Sequence, residues 1–115
     1  MIIGKTFTFE AAHWLPGHIG KCNALHGHTW TVEVELKGDV DPNTGMVMDF
    51  HYLSKEVENV LNSFDHTTIN KQISNPTCEN IVSFLWEALS KLYPKRLHSI
   101  KVKEGVGGYA RLEAS

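Results

Sequence analysis

Residues 2–13 read Ile-Ile-Gly-Lys-Thr-Phe-Thr-Phe-Glu-Ala-Ala-His, and residues 26–38 read His-Gly-His-Thr-Trp-Thr-Val-Glu-Val-Glu-Leu-Lys-Gly. Both alternate with period two, the signature of a strand with one buried face. In the first, Ile3, Phe7, Phe9, Ala11 and His13 share a face, and Thr6, Thr8 and Glu10 share the other. Lys5 is the one residue out of place on the apolar side. In the second, Trp30, Val32, Val34 and Leu36 face one way and Thr29, Thr31, Glu33 and Glu35 the other; the same period carries His26 and His28 onto the apolar side.

Between these segments Pro16, Gly17 and Gly20 break the alternation, so a loop carries Cys22. Gly38 to Gly45 holds Asp, Pro, Asn and Gly and reads as a turn. The period then changes to that of a helix from about His51 to Phe64, with Leu53, Val57, Val60, Leu61 and Phe64 as its stripe and Asp49 placed to cap it. An irregular segment, Asp65 to Lys71, leads to a second helix opened by Thr77, with Glu79 in its first turn. Its stripe is Ile81, Phe84, Leu85, Ala88, Leu89 and Leu92, and Pro94 ends it. Residues 98–104 alternate again, placing Ile100, Val102 and Glu104 on one face. After the Gly105–Gly108 turn, Tyr109 to Glu113 can return as a short strand. The order is ββααββ. An α+β fold follows: a four-stranded antiparallel sheet with both helices on one face.

The chain's 115 residues suit one domain, residues 1–115. A formal charge of -2 with no basic stripe argues against nucleic acid as the partner. Lys91, Lys95 and Arg96 gather at a helix end and read as a solvated terminus. No apolar run is long enough to span a membrane, and the first residues lack the features of a signal peptide. A cytoplasmic location is therefore expected, with Cys22 and Cys78 reduced.

Three strands extend their apolar faces into residues foreign to a dry core. His13 ends the first, His26 and His28 begin the second, and Glu104 ends the third. A buried imidazole needs partners for its ring nitrogens, and an unpaired buried carboxylate costs several kcal/mol. One buried histidine is ordinarily a satisfied core group. Two at i, i+2 on a strand project from the same face, as chelation requires, and a third continues the neighbouring face. Three imidazoles suit Zn2+ with a fourth position open to substrate, although nickel, iron and copper also accept such ligands. Gly27 between the two histidines allows close approach from the other side. A divalent cation beside Cys22 would favour its thiolate, the form that acts as base or nucleophile. Cys78, His18, His51 and His98 have no such context and read as structural or surface residues.

Six motifs in order resemble the 6-pyruvoyl-tetrahydropterin synthase family, which includes the 6-carboxy-tetrahydropterin synthases. They are Phe9-Glu-Ala-Ala-His13, Cys22-Asn-Ala-Leu-His26-Gly-His28, Gly45-Met-Val-Met-Asp49-Phe50, Asp65-His66-Thr-Thr-Ile-Asn70, Asn75-Pro-Thr-Cys-Glu-Asn80 and Val102-Lys-Glu104. The resemblance implies a tunnelling fold in which trimeric rings stack to a homo-hexamer with active sites at subunit boundaries. It implies Zn2+ on His13, His26 and His28, Cys22 as general base, Asp65 and His66 as its activating or proton-relaying pair, and Glu104 and Thr77 as holders of a pterin. The substrate so implied is 7,8-dihydroneopterin triphosphate. The three-residue spacing from Cys22 to His26 resembles the carboxy branch, which releases triphosphate and acetaldehyde and feeds 7-deazaguanine (queuosine) synthesis. The pyruvoyl branch eliminates triphosphate only, and a third branch typically has glutamate where Cys22 stands. A pterin-binding module without catalysis and a zinc hydrolase remain as alternatives. The glycine-rich turn after Glu104 departs from the threonine-containing continuation associated with the family.

Overall fold

A computed structural model describes all residues from Met1 to Ser115. Strands β1 (Ile2–His13) and β2 (His26–Lys37) pair antiparallel along their whole length, from Ile2↔Lys37 to His13↔His26. Helix α1 (Phe50–Leu61), a two-residue strand β3 (Thr67–Thr68), helix α2 (Cys78–Leu92) and strands β4 (Leu97–Glu104) and β5 (Tyr109–Glu113) follow. The sheet order is β3-β1-β2-β4-β5. The four main strands and two helices are those expected. β3 is an addition that lies parallel to β1 at Ala11 and Ala12; two residues are too few to show a period.

The inward faces of β1, β2 and β4 meet both helices. Trp30, Val32, Val34 and Leu36 are fully buried, as are Leu53, Val57, Phe64, Ile81, Leu85, Leu89, Ile100 and Val102. Each buried aliphatic side chain is worth about 1.5–3 kcal/mol of transfer free energy. Asp49 caps α1 by accepting the His51 N–H at 2.8 Å, and Thr77 caps α2 by accepting that of Asn80 at 3.1 Å. The stripe of α2 differs in detail from the expected one. Val82 enters the core, whereas Phe84 and Leu92 lie at its rim, Phe84 edge-on to Phe64 with ring centres 5.3 Å apart.

A bulge between Glu35 and Leu36 inserts an extra residue in β4, so that Leu97 and Ile100 both face the core despite their odd spacing. Lys5 is accommodated by a hydrogen bond from its Nζ to Ser54 Oγ of α1, with the same Nζ 5.9 Å from the centre of the Phe7 ring. Arg96 corrects the expectation of a solvated helix end: its guanidinium donates to the Val47 carbonyl and pins the turn before α1. Neither helix is long and apolar enough to cross a membrane. The two twelve-residue strands make the molecule elongated, 54 × 27 × 24 Å. Its radius of gyration is 15.2 Å, against about 13 Å for a compact chain of this length.

Candidate metal centre

The register of three strands brings His13, His26, His28 and Glu104 together. His13 pairs with His26, Ala11 with His28, and Trp30 with Glu104. One ligand atom from each of the four lies within 4.8 Å of every other. Trp30 floors the group, edge-on to His13 and His28 at 5.0 and 5.5 Å, and its indole N–H is satisfied by the Ala11 carbonyl.

Carbonyl partners fix the tautomers. Nδ1 of His13 lies 2.8 Å from the Pro76 carbonyl, and Nδ1 of His26 lies 2.7 Å from that of Ala24. A carbonyl only accepts, so each Nδ1 carries a proton and each neutral ring turns the lone pair of Nε2 inward. Those two Nε2 atoms stand 3.1 Å apart. Burial holds His13 below the ordinary histidine pKa, partly offset by the Pro76 carbonyl and Glu104. Nε2 of His28 is buried and makes no hydrogen bond. Glu104 Oε1 is only 2.9 Å away, close enough for an ion pair, but off the line that a ring N–H needs. Lone pairs crowded in this way repel unless a cation stands among them. The donor set therefore fits a divalent metal, with nitrogen donors whose other ring nitrogens are anchored by backbone carbonyls.

The remaining candidates fall around this group. Cys22 lies in a single 3-10 turn, Lys21–Asn23, half-buried and outside the four-residue group. Its carbonyl accepts the Leu15 N–H at 2.8 Å, which closes the loop. Asp65 and His66 stand beside Glu10, at the edge of β1. Asp65 Oδ1 accepts the Glu10 N–H at 2.9 Å, and the His66 N–H donates to the Glu10 carbonyl at 2.6 Å. Asp65 Oδ2 holds His66 Nδ1 at 3.0 Å, leaving Nε2 free on a ring that is 78% exposed. The Glu10 N–H, then His66, lower the Asp65 pKa. His66 is the only non-glycine residue with positive φ, 58°, a conformation that persists only where surrounding contacts hold it.

Thr77 caps α2 beside Pro76, so one turn of chain both starts the helix and orients His13. The Pro76 and Ala24 carbonyls are contributors that residue type could not reveal. A third is Asn70, whose amide accepts the Trp14 N–H at 3.0 Å and donates to the Trp14 carbonyl at 2.9 Å, clamping the start of the Cys22 loop. Its place in the Asp65–Asn70 motif was the available signal. Gly27 is not required by its own chain: a Cβ there would meet nothing closer than the Ala11 carbonyl at 4.0 Å. The largest depression, about 620 Å³, is lined by Glu10, Gly27, Thr29, His66 and Lys71 among others, and of the four grouped residues only His28 borders it.

Cys78 is half-buried. Its thiol donates to the Val102 carbonyl at 3.0 Å, and burial pushes its pKa up. Iodoacetamide should label Cys78 more slowly in the native protein than after unfolding in guanidinium. Peptide mass mapping over a time course reads this directly, and equal rates in the two states would contradict the protection.

The sequence profile of the family described as 6-pyruvoyl tetrahydropterin synthase matches residues 2–115. The chain belongs to this family. A 6-carboxy-5,6,7,8-tetrahydropterin synthase of Synechocystis sp. is 38% identical over 117 residues, covering 96% of this chain and 91% of its own. A protein of Archaeoglobus fulgidus provisionally given the same name is 50% identical over 91 residues, 79% of this chain and 77% of its own. The dihydroneopterin monophosphate aldolase of Pyrococcus furiosus is 40% identical over 87 residues, 76% of this chain and 73% of its own. Among solved structures, the 6-pyruvoyl tetrahydropterin synthase of Caenorhabditis elegans superposes with a TM-score of 0.90 at 29% identity, covering 100% of this chain and 96% of that one. This member of the family is thus an enzyme of the tetrahydropterin synthase type with a His/Glu group that could bind a metal ion.

Proposed function

We propose that this enzyme is a zinc-dependent lyase that converts 7,8-dihydroneopterin triphosphate to 6-carboxy-5,6,7,8-tetrahydropterin, releasing triphosphate and acetaldehyde. The observation that carries the proposal is the converging group of His13, His26, His28 and Glu104, in a chain whose relatives include carboxy-type synthases. Zn2+ held by the three histidines would polarise the substrate's side-chain hydroxyls and acidify the adjacent C–H. The chain's own residues do the rest. Cys22, as thiolate, accepts the proton from that carbon. Asp65 orients His66 through Nδ1, which leaves Nε2 free to pass a proton to or from the reacting side chain. Glu104 accepts two parallel hydrogen bonds from the amino-pyrimidine edge of the pterin, the arrangement in which a carboxylate is most selective. Thr77 and neighbouring backbone groups hold the ring.

The site forms at a subunit boundary in a homo-hexamer of two stacked trimers. Several features of one chain support this. The His66 ring is largely exposed, the edge of β1 away from β2 carries no strand along Ile2–Glu10, and the molecule is elongated. Joining such edges in a ring removes an aggregation hazard. Two free thiols fit a reducing, cytoplasmic setting, and a role in deazaguanine (queuosine) synthesis follows from the carboxy product.

Mass spectrometry of the products made by zinc-loaded protein from 7,8-dihydroneopterin triphosphate tests the proposal. The 6-carboxy product with one acetaldehyde per triphosphate is expected. Triphosphate without acetaldehyde would replace this assignment with the pyruvoyl reaction. A hydroxymethyl-dihydropterin product would point to aldolase chemistry, as in the Pyrococcus relative's name.

A further inference from the structure

Packing does not place the loop that carries Cys22. Residues 14–25 connect His13 to His26 and none of them is buried; Leu15 and Cys22 are half-buried and the others exposed. With so little apolar surface removed from water, the position of this loop falls to hydrogen bonds. Inside the loop the Leu15 N–H donates to the Cys22 carbonyl at 2.8 Å, and short backbone bonds close the turns Leu15–His18 and Gly20–Ala24. Gly17 and Gly20, at φ 75° and 109°, make those turns without strain. At the far end the Ala24 carbonyl meets His26 Nδ1. Between residues 14–23 and the rest of the fold, the only hydrogen bonds are those made by Asn70.

Asn70 is firmly mounted. It lies in a 3-10 turn, Ile69–Lys71, in which the Ile69 side chain is fully buried. The Ile69 carbonyl accepts the N–H groups of Gln72 and Ile73 at 2.9 and 3.0 Å. From this platform Asn70 Oδ1 accepts the Trp14 N–H at 3.0 Å, and Nδ2 donates to the Trp14 carbonyl at 2.9 Å. A backbone N–H only donates and a carbonyl only accepts, so one orientation of the amide satisfies both. The Trp14 carbonyl and the Leu15 N–H belong to a single planar, trans peptide unit and point in opposite directions. Asn70 therefore grips one edge of that unit, and the Cys22 carbonyl hangs from the other. His13 has anchors of its own, in its pairing with His26 and in the Pro76 carbonyl. Releasing the clamp frees the loop without removing a nitrogen donor.

We propose that Asn70 is a positioning residue of this enzyme, which sets Cys22 against the metal group through the Trp14–Leu15 peptide unit. Its part in the reaction rests on the lyase proposal, in which Cys22 accepts the proton, whereas its hold on the loop does not.

The test compares wild type with Asn70→Ala and Asn70→Leu, which lose both bonds, and with Asn70→Asp, which keeps the acceptor for the Trp14 N–H. Circular dichroism, gel filtration and bound Zn2+ per chain establish that each variant is folded, assembled and loaded. Misplacing a reacting group by about 1 Å can cost about 100-fold, so kcat on 7,8-dihydroneopterin triphosphate should fall about 10- to 100-fold in Asn70→Ala and Asn70→Leu, with KM within about 3-fold of wild type. Asn70→Asp should fall less. In a Cys22→Ala background the same substitutions should change turnover little, because the group they place is gone. Hydrogen exchange should quicken across residues 14–23 and stay unchanged in β1 and β2, and iodoacetamide should alkylate Cys22 faster. An unchanged kcat, or a loss of equal size with and without Cys22, would overturn the positioning role. Unchanged exchange and alkylation would overturn the hold on the loop. If wild type binds neopterin but does not turn over dihydroneopterin triphosphate, the lyase proposal fails alone; faster exchange and alkylation in the variants would still support the placement of Cys22 by Asn70.

Discussion

Replacing Cys22 with alanine is expected to lower kcat by about 10²- to 10⁴-fold while Zn2+ and pterin stay bound. That range is what a positioned general acid or base contributes, equivalent to about 3–5 kcal/mol of barrier. The physical basis for the selective effect is the separation of roles in the fold. Cys22 lies on its own short turn outside the His13, His26, His28 and Glu104 group, and its carbonyl already closes the loop with the Leu15 N–H. Truncating the thiol therefore removes neither a grouped ligand atom nor the loop's backbone bond. Steady-state turnover, bound metal per chain and quenching of neopterin fluorescence measure the three properties separately. A variant that retains activity within a few-fold of wild type would take Cys22 out of the reaction and favour a hydrolase that works through metal-activated water. Loss of metal together with turnover would instead make the thiol part of the centre.

The second large effect is expected at His13, which is 1% exposed and central to the group. In His13→Ala the protein loses a nitrogen donor, and the Pro76 carbonyl loses its N–H partner. An orphaned buried acceptor costs about 1–3 kcal/mol even before metal is considered. Metal linkage adds to this. A ligand present at about 1,000 times its Kd stabilises the folded state by about 4 kcal/mol, which for a chain of this size is on the order of 10 °C in Tm. A chelator should thus lower the wild-type melting temperature markedly and leave that of His13→Ala nearly unchanged. Differential scanning calorimetry with and without chelator gives both values. An equal chelator response in the two proteins would show that His13 does not hold the metal.

His13 ends a strand and Cys22 lies in the loop that follows it, and that explains how far the one-dimensional pattern reaches. Alternation along β1 and β2 placed His13, His26 and His28 on the buried side because a strand has a period of two regardless of its neighbours. Capping chemistry located Asp49 and Thr77 for a similarly local reason: a side-chain oxygen meets an N–H only two or three residues on. Local rules failed where packing chose among near-equivalent residues. Val82 lies in the core and Phe84 at its rim, a choice between flanks of the stripe that the helical period alone leaves open. Arg96 found the Val47 carbonyl because the turn before α1 passes beside the end of α2. The two-residue β3 carried no periodic signal.

The chemistry divides along the same line. Residue type and spacing alone determined that three imidazoles lie on the apolar faces of two strands with a thiol nearby and that an acid ends a third strand, and six ordered motifs carried the resemblance to pterin synthases. Only the tertiary structure decided how these groups meet. The carbonyls of Pro76 and Ala24 set the tautomers of His13 and His26, and every residue has a carbonyl, so no sequence pattern could single those two out. The register that sets Trp30 opposite Glu104 brings the acid to 2.9 Å from His28. That pairing depends on long-range hydrogen bonds and a bulge between distant strands. A period of two states which side of a strand a residue faces, but not which residue of another strand it will touch.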